Sequence, residues 1–297
     1  MINFGPGVRP SRWFLFGVIF FHQVLTALAF PAAKLGLGEI NPFVFAFFRF
    51  AIASMIYIPV LLFLRRGKKI TAREHLRIFI IGLVLIPCNQ VIFLVGQSLT
   101  SAGHSSLLFA TMPIFVYILA MVFLGERFSI RRSAGIAIAV IGVYFILTGG
   151  KVDFGIGYLL GDLIILVAVV AWAVGTVMMK PLAMKFGAFR VTGLALVYGS
   201  LVYLPYGLYR AYGADLSQIT MTGWGSVLYL ALVVSILAYF LWYWVLKYLE
   251  ASRVAVVQNI QPVIASAAAA VVLSEPITEN FIIGGIIVIT GVILTEL

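Results

Sequence analysis

Six amide and imidazole side chains interrupt long apolar runs of this chain, where polar groups are unusual. They are His22, Gln23, Asn89, Gln90, Gln258 and Asn259. An unpaired polar group in hydrocarbon costs on the order of a few kcal/mol, so we expect each to face the interior of a helix bundle. Because amides both donate and accept hydrogen bonds, the set is suited to lining a cavity for a small polar solute. The alternative is that each side chain only joins two helices, which is worth ~0.6 to 2 kcal/mol.

Aromatic residues are interleaved with these polar groups. Phe93 follows Asn89 by four residues and so shares its helical face, and Tyr239 and Tyr243 are spaced in the same way in a later run. A tyrosine hydroxyl inside a membrane needs a partner, which a water-filled cavity supplies. We therefore predict that Phe93, Tyr239 and Tyr243 line the cavity. The alternative is an aromatic belt at the membrane surface, where we expect Trp242.

No acidic residue falls near the middle of an apolar run. All ten Asp and Glu residues lie at the ends of the runs or between them. An exchanger of lipophilic cations commonly uses a carboxylate inside the membrane, because such a group is expensive there and is kept for function. The chain therefore fits a neutral or zwitterionic solute better. His22 is the one candidate proton carrier at mid-membrane depth, so uniport and proton antiport both stay open.

The sequence offers little material for catalysis. An intramembrane enzyme would need a nucleophile with a base, or a cluster of metal ligands, and the candidates are His22, His104, Ser105 and Ser106. No spacing of His, Asp and Glu suits a metal ion. We predict that the protein is not an enzyme and uses no metal or cofactor. A channel is disfavoured too, because no ring of like charge and no filter motif is present.

The composition places most of the chain in lipid. Hydrophobic residues make up 63% of the 297 residues, charged residues 10%, and the mean hydropathy is +1.13. A soluble domain carries roughly 25% charged residues. The formal net charge of +10 is spread between the apolar runs, so we expect no nucleic-acid partner. The partners expected are the lipid bilayer and a small-molecule substrate, and the single Cys88 excludes intrachain disulfides.

Ten apolar segments approach the ~20 residues that a helix needs to cross ~30 Å of hydrocarbon. They must be helices because each spanning segment has to satisfy its own backbone hydrogen bonds. Their expected bounds are 13–32, 43–64, 77–97, 105–124, 134–148, 157–179, 191–209, 224–246, 254–273 and 281–295. The fifth and tenth segments are short and must take residues from their flanks. The expected fold is an all-α integral membrane protein with ten transmembrane helices.

The lysines and arginines indicate how this bundle is oriented. With the N-terminus inside, sixteen of them fall in cytoplasmic segments and three in outer segments. This is a clear positive-inside bias. We therefore expect both termini in the cytoplasm and the protein in a bacterial inner membrane.

The second half of the chain repeats the first. The matched pairs are Pro113 and Pro262, Glu126 and Glu275, Gly135 and Gly284, and Gly142 and Gly291, each separated by 149 residues. Each half, 1–149 and 150–297, contains five spans, so the halves enter the membrane in opposite orientations. Inverted repeats recur in secondary transporters, which bind substrate near the midplane where the repeats meet.

These features resemble the drug/metabolite transporter superfamily, EamA type, over essentially the full length. The residues that carry the resemblance are the stretch from Pro42 to Arg49, the repeated proline–acid–glycine pattern, and Trp172 eight residues before Lys180. Thr26 departs from the family, which often has tryptophan there. The resemblance implies ten helices, a central cavity between the halves, and movement of small metabolites, often amino acids, usually outward. We add Trp172 to the residues expected to line the cavity.

Five residues are assigned to structure or gating: Arg49, Glu126, Glu275, Pro113 and Pro262. Arg49 lies seven residues into the second span, which is ~10 Å deep and within snorkelling reach of the outer surface. Glu126 and Glu275 fall at span ends and are expected to cap or anchor the helix that follows. The prolines free backbone carbonyls one turn earlier, and these can bind a ligand or a neighbouring helix.

The sequence thus predicts a secondary transporter that exports a small polar or zwitterionic metabolite, most simply an amino acid, by alternating access. The alternative within the superfamily is drug efflux or nucleotide-sugar carriage. The first is weakened by the lack of a buried acid, and the second by a shortage of basic residues deep in the cavity. Monomer and homodimer both stay open.

Overall fold

The structure, a computed structural model, describes residues 10–63, 68–100, 102–148, 158–264 and 279–296. All regular secondary structure in these ranges is helical. The helices, labelled in chain order, are α1 (Arg12–Leu37), α2 (Pro42–Phe63), α3 (Ala72–Leu99), α4 (102–124), α5 (Ile130–Thr148), α6 (Leu159–Phe186), α7 (Ala188–Tyr212), α8 (Met221–Val245), α9 (251–264) and α10 (Glu279–Glu296).

Among the described residues, seven helices are long and apolar enough to cross a membrane. They are α1, α2, α3, α6, α7, α8 and the stretch Leu107–Leu124 of α4. Helix α10 carries a shorter apolar stretch, Ile282–Thr295. The all-α class expected from the sequence is confirmed. Helices α5 and α10 begin at Ile130 and Glu279, a few residues before the segments 134–148 and 281–295 predicted from the sequence.

Prolines interrupt three helices. Helix α1 bends three residues before Pro31, and α4 is broken at residues 110–111, just before Pro113. Helix α9 tightens into a 3₁₀ turn at Val257–Ile260, just before Pro262. Proline lacks an N–H and crowds the carbonyl four residues earlier, which weakens the turn before it, although Pro59, Pro181 and Pro205 lie within continuous helices. The repeat-related Pro113 and Pro262 thus each follow an interruption of their helix directly.

Two helices contain wide π-helical turns. One covers Ile86–Val91 in α3, where Pro87 removes a backbone donor. The other covers Tyr229–Ala238 in α8 and contains no proline. A π turn takes more residues than an α turn, so it rotates the side chains that follow, and such turns are frequent at functional sites. The third and eighth helices, which are repeat partners in the sequence, are thus both widened at mid-length.

Glycines bring α5 and α10 into backbone contact. A Cβ atom added at Gly142 would lie 2.8 Å from the carbonyl oxygen of Gly284, and one at Gly291 would lie 2.6 Å from that of Gly135. Residue numbers rise along α5 as they fall along α10, so the two helices run antiparallel. Because lipid gives helices no hydrophobic reason to associate, this close approach is what holds the pair together.

Helices of the second half pack between helices of the first half. Helix α6 lies along α3 and α4, α7 along α2 and α3, and α8 along α1 and α2. One apolar core runs through these contacts. The polar residues singled out above lie at this contact between the halves.

Candidate functional site

Four aromatic side chains from α6 and α8 meet in the interior of the bundle. The ring centroid of Trp172 lies 5.1 Å from that of Tyr239, 6.4 Å from Trp242 and 6.5 Å from Tyr243. All four side chains are buried. The indole N–H of Trp172 has no hydrogen-bond partner within the protein. The Tyr239 hydroxyl lies beside Arg49 and the Tyr243 hydroxyl beside Thr176, and neither completes a well-formed hydrogen bond there. These donors are therefore available to a solute.

His22 of α1 completes one side of this group. Its ring lies 5.2 Å from that of Trp242 and is tilted by 30°. The Trp242 indole N–H donates to the Thr176 hydroxyl at 3.3 Å, which fixes the ring between α1 and α6. Nδ1 of His22 is buried and has no hydrogen-bond partner. We refer to His22, Arg49, Trp172, Tyr239, Trp242 and Tyr243 as the central cluster.

Arg49 of α2 enters the cluster from the opposite side. The residue is only 1% exposed, and its Nε donates to the Ser235 hydroxyl at 3.0 Å. The guanidinium lies 4.9 Å from the Phe50 ring and beside Tyr239, with which it interacts electrostatically. Its Nη2 has no hydrogen-bond partner. Arg49 thus points into the protein rather than snorkelling to the surface, because the wide turn of α8 presents Ser235 to it.

A second polar group joins α1 to α9. The Gln261 amide donates from Nε2 to Gln23 Oε1 and to Thr26 Oγ1, both at 2.7 Å. The Thr26 hydroxyl donates in turn to the His22 carbonyl at 2.9 Å. The Thr26 hydroxyl therefore accepts a hydrogen bond from α9 that a tryptophan side chain could not accept. Asn259, two residues before Gln261 on α9, is fully buried and neither of its amide atoms has a hydrogen-bond partner.

Asn89 and Gln90 have hydrogen-bond partners within the protein, unlike Asn259. Nδ2 of Asn89 donates to the Ala168 carbonyl of α6 at 2.6 Å, and Gln90 donates to Asn89 Oδ1. Both side chains are buried. This pair joins α3 to α6, which favours the interhelical role over substrate contact for these two residues.

Phe93 and Gln258 lie beyond the cluster, toward the end of the bundle that holds Lys34. Phe93 forms an aromatic layer with Phe30 and Phe109, with ring centroids 5.5 to 5.9 Å apart. Gln258 is half-buried and lines a narrow opening with Phe30, Phe109 and Pro262. Phe30 follows His22 by eight residues, so this layer is ~12 Å farther along α1. These residues separate the central cluster from one end of the bundle.

A carboxylate ties the halves together at the end where α2 finishes and α3 starts, which we refer to as the basic end. Gly125 ends α4 with a φ of 69°, a left-handed conformation that glycine adopts freely. The Glu126 carboxylate, which follows, accepts hydrogen bonds from Ala251 N at 2.6 Å, Ser252 N at 3.4 Å and Ser252 Oγ at 2.5 Å. Glu126 therefore caps α9 of the other half, not α5, which we expected it to cap.

Charged residues surround this cap. Lys180 donates to the Leu249 carbonyl at 2.6 Å and lies 3.9 Å from Glu126, as does Arg132. Arg132 also pairs with Glu250, which Arg253 contacts at 2.9 Å. A cavity of about 690 Å³ is lined by Glu126, Arg132, Lys180 and Glu250 among others. We refer to Glu126 and its partners as the clamp.

The opposite end has a related arrangement. Lys34 donates to the Thr100 carbonyl at 2.8 Å and to the Gln97 carbonyl at 3.2 Å. The Thr100 hydroxyl donates to Asp162 Oδ1 at 2.6 Å, which joins the halves. Thr100 and Leu249 are 149 residues apart in the sequence. Two lysines therefore hold repeat-equivalent carbonyls at opposite ends of the bundle.

Trp242 was expected in a surface belt, but it is 1% exposed inside the central cluster, because the wide turn that ends at Ala238 rotates the residues after it. Nothing in the sequence marks that turn, so Ser235 was missed as well. Glu275 lies outside the described residues.

Comparison with known proteins gives matches along most of the chain. The profile of the EamA-like transporter family matches residues 13–148 and 159–297. An uncharacterized transporter from Archaeoglobus fulgidus is 30% identical over 267 residues, which cover 89% of this chain and 92% of that protein. An uncharacterized transporter from Bacillus subtilis is 30% identical over 265 residues, with 88% and 80% covered.

Two further similarities bear on the site and the fold. A probable terminal-alkyne amino-acid exporter from Streptantibioticus cattleyicolor is 29% identical over 274 residues, which cover 91% of this chain and 89% of that protein. A solved crystal structure superimposes with a TM-score of 0.75 at 18% identity and covers 96% of each chain. At that identity the second similarity shows the fold alone.

Proposed function

Because the chain belongs to the EamA-like transporter family of the drug/metabolite transporter superfamily, we propose that it exports small polar or zwitterionic metabolites, amino acids above all. It is an integral membrane protein and a transporter rather than an enzyme. The exporter from Streptantibioticus cattleyicolor supports the substrate class, since its name specifies an amino acid. The substrate of this chain is our inference.

One observation carries the proposal. Buried polar groups without partners gather where the halves meet, and they include His22, Trp172, Tyr239, Tyr243 and Asn259. Each costs free energy in a closed bundle, so a scaffold would have no reason to keep them together. A small solute with donors and acceptors of its own satisfies them.

The architecture that we propose is ten helices in two inverted halves, residues 1–149 and 150–297. The crossing of α5 and α10 supports it, because Gly142 meets Gly284 while Gly291 meets Gly135. Contacts exchanged in this way are what a twofold relation between two antiparallel helices produces. The lysine contacts to the repeat-equivalent carbonyls of Thr100 and Leu249 support the same relation.

Alternating access follows from this arrangement. The clamp closes the basic end, and the layer of Phe30, Phe93 and Phe109 with the Lys34 contacts closes the opposite end. When one end of the bundle opens while the other end stays closed, the central cluster is exposed to one side of the membrane at a time. The positive-inside bias places the basic end and both termini in the cytoplasm, in a bacterial inner membrane.

Counterflow in liposomes tests the proposal. Purified protein is reconstituted with a panel of unlabelled amino acids inside, and uptake of each labelled amino acid is followed with and without a pH gradient. We expect transient accumulation of one or a few amino acids. If the gradient drives uptake, His22→Gln should remove that dependence. Movement only of sugars, nucleotides or cationic drugs would contradict the amino-acid assignment.

A further inference from the structure

Arg49 is a buried cation without an acidic partner among the described residues. The carboxylates of the described part that have assigned contacts are engaged elsewhere: Glu39 with Thr220, Glu74 with Lys185, Glu126 and Glu250 in the clamp, Asp162 with Thr100, and Asp215 with Ser217. A buried charge is costly unless it is paired. The neutral Ser235 hydroxyl and the Phe50 ring offset only part of that cost.

The free donors of this site point to an anionic ligand. Nη2 of Arg49 is buried and has no hydrogen-bond partner within the protein. The buried Tyr239 hydroxyl lies beside the guanidinium and faces it as an acceptor, so its own O–H is left to donate. Nε is already held by Ser235, which fixes the guanidinium in place. A planar carboxylate has two oxygens, so it can accept one hydrogen bond from each donor.

We infer that Arg49, with Tyr239 beside it, binds the carboxylate of the transported solute and selects for it. This inference rests on the proposed transport function and narrows it. The substrate class is then a free carboxylic acid, and Arg49 becomes a specificity-determining residue rather than a structural one.

The same geometry predicts weaker recognition of the solute's amino group than of its carboxylate. No carboxylate of the described residues faces the central cluster, so an ammonium group would meet only neutral acceptors, such as Asn259 Oδ1, and the faces of Trp172 and Trp242. Removing the carboxylate from a substrate should therefore cost more affinity than removing or blocking its amine.

Matched competitors test the inference on the wild-type protein. Counterflow of the best labelled amino acid is measured against its free acid, its amide, its amino alcohol, its N-acetyl derivative and the corresponding 2-hydroxy acid. Hydrogen bonds to a charged group are strong enough that we expect the amide and alcohol to compete about ten- to a hundredfold more weakly than the acid. The N-acetyl and hydroxy acids should stay within about tenfold of the parent, because neutral acceptors contribute less.

Variants then assign the effect to the arginine. Arg49→Gln and Arg49→Lys should reduce the preference for acid over amide at least severalfold. Ser235→Ala keeps the guanidinium but removes the hydrogen bond that fixes it, so the preference should weaken, though less than in the Arg49 variants. Arg210→Gln removes one positive charge from the end of α7, where the side chain stacks over Phe43, and should leave the preference unchanged. If the Arg49 variants fail to fold, a weaker preference in folded Ser235→Ala assigns the effect to the guanidinium, and an unchanged preference there overturns the inference.

The outcomes separate the two proposals. If amino acids move but the amide competes as well as the acid, the Arg49 inference is overturned and the transport proposal stands. If hydroxy acids move and no amino acid does, the amino-acid assignment fails and the Arg49 inference stands. If only neutral or cationic solutes move, both are overturned.

Discussion

The close contact between α5 and α10 gives a sharp prediction, because α10 carries two neighbouring glycines in different surroundings. A Cβ atom at Gly284 would lie 2.6 Å from Ile146 Cγ1 and 2.7 Å from the Gly142 carbonyl oxygen. A Cβ at Gly285 would meet only Val263 Cγ1, at 3.9 Å, which is an ordinary contact. Gly284→Ala should therefore separate the helices, and Gly285→Ala should not.

The size of the effect follows from the comparison. Alanine gains up to ~1 kcal/mol of helix propensity over glycine at both positions, so that contribution cancels between the two variants. Forcing a methyl group into a filled backbone contact costs about 1 to 3 kcal/mol. For a chain of this size, each kcal/mol corresponds to roughly 2 to 4 °C in Tm.

The assay is thermal unfolding of the purified variants in one detergent, followed by size-exclusion chromatography. We expect the Tm of Gly284→Ala to lie at least several degrees below that of Gly285→Ala. Gly291→Ala should have a similarly lowered Tm, because its Cβ would lie 2.6 Å from the Gly135 oxygen. Equal Tm values for Gly284→Ala and Gly285→Ala would refute the backbone contact and the support that it gives to inverted halves.

Three more predictions concern the site. Asn259→Ala should lower counterflow at least severalfold without changing Tm, because the amide has no partner within the protein; an unchanged rate would remove it from the site. Asn89→Ala should instead lower Tm by a few degrees in the same thermal assay, since it loses the bond to the Ala168 carbonyl; a transport defect at wild-type Tm would argue against that role. Trp242→Phe should keep counterflow within about threefold, because it loses only the bond to Thr176, whereas Trp242→Ala should lose most of it; similar rates in both would mean that the ring is dispensable.

Much of the fold could be predicted because it depends on periodic properties. Apolar length gives the helices, and the prolines at 113 and 262 give the interruptions that the structure shows in α4 and α9. The glycines of the repeat mark the crossing of α5 and α10. Apolar length, prolines and glycines each affect the backbone close to the residue itself, so their effects can be predicted from the sequence.

The site was less accessible to sequence reasoning because it depends on contacts between distant helices. The wide turn in α8 has no proline to announce it, and it turns Trp242 inward and brings Ser235 to Arg49. The partner of Glu126 is the start of α9, 125 residues away. No local rule connects such positions.

The measurement that tests alternating access most directly is reagent accessibility at the two ends of the bundle. In a Cys88→Ala background, single cysteines replace Ala255, which is fully buried in α9 behind the clamp, and Ala110, which lines the narrow opening at the other end. An impermeant maleimide is applied in inside-out and right-side-out vesicles, with Glu126→Gln as the perturbation and Glu74→Gln as the control. Glu126→Gln exchanges charged for neutral hydrogen bonds, a loss on the order of 1 to 1.5 kcal/mol.

We expect Glu126→Gln to raise labelling at Ala255→Cys about tenfold and to lower labelling at Ala110→Cys, while Glu74→Gln should change neither. A rise at both positions would mean that the clamp only stabilises the fold. No change at either position would contradict its role in closing the basic end.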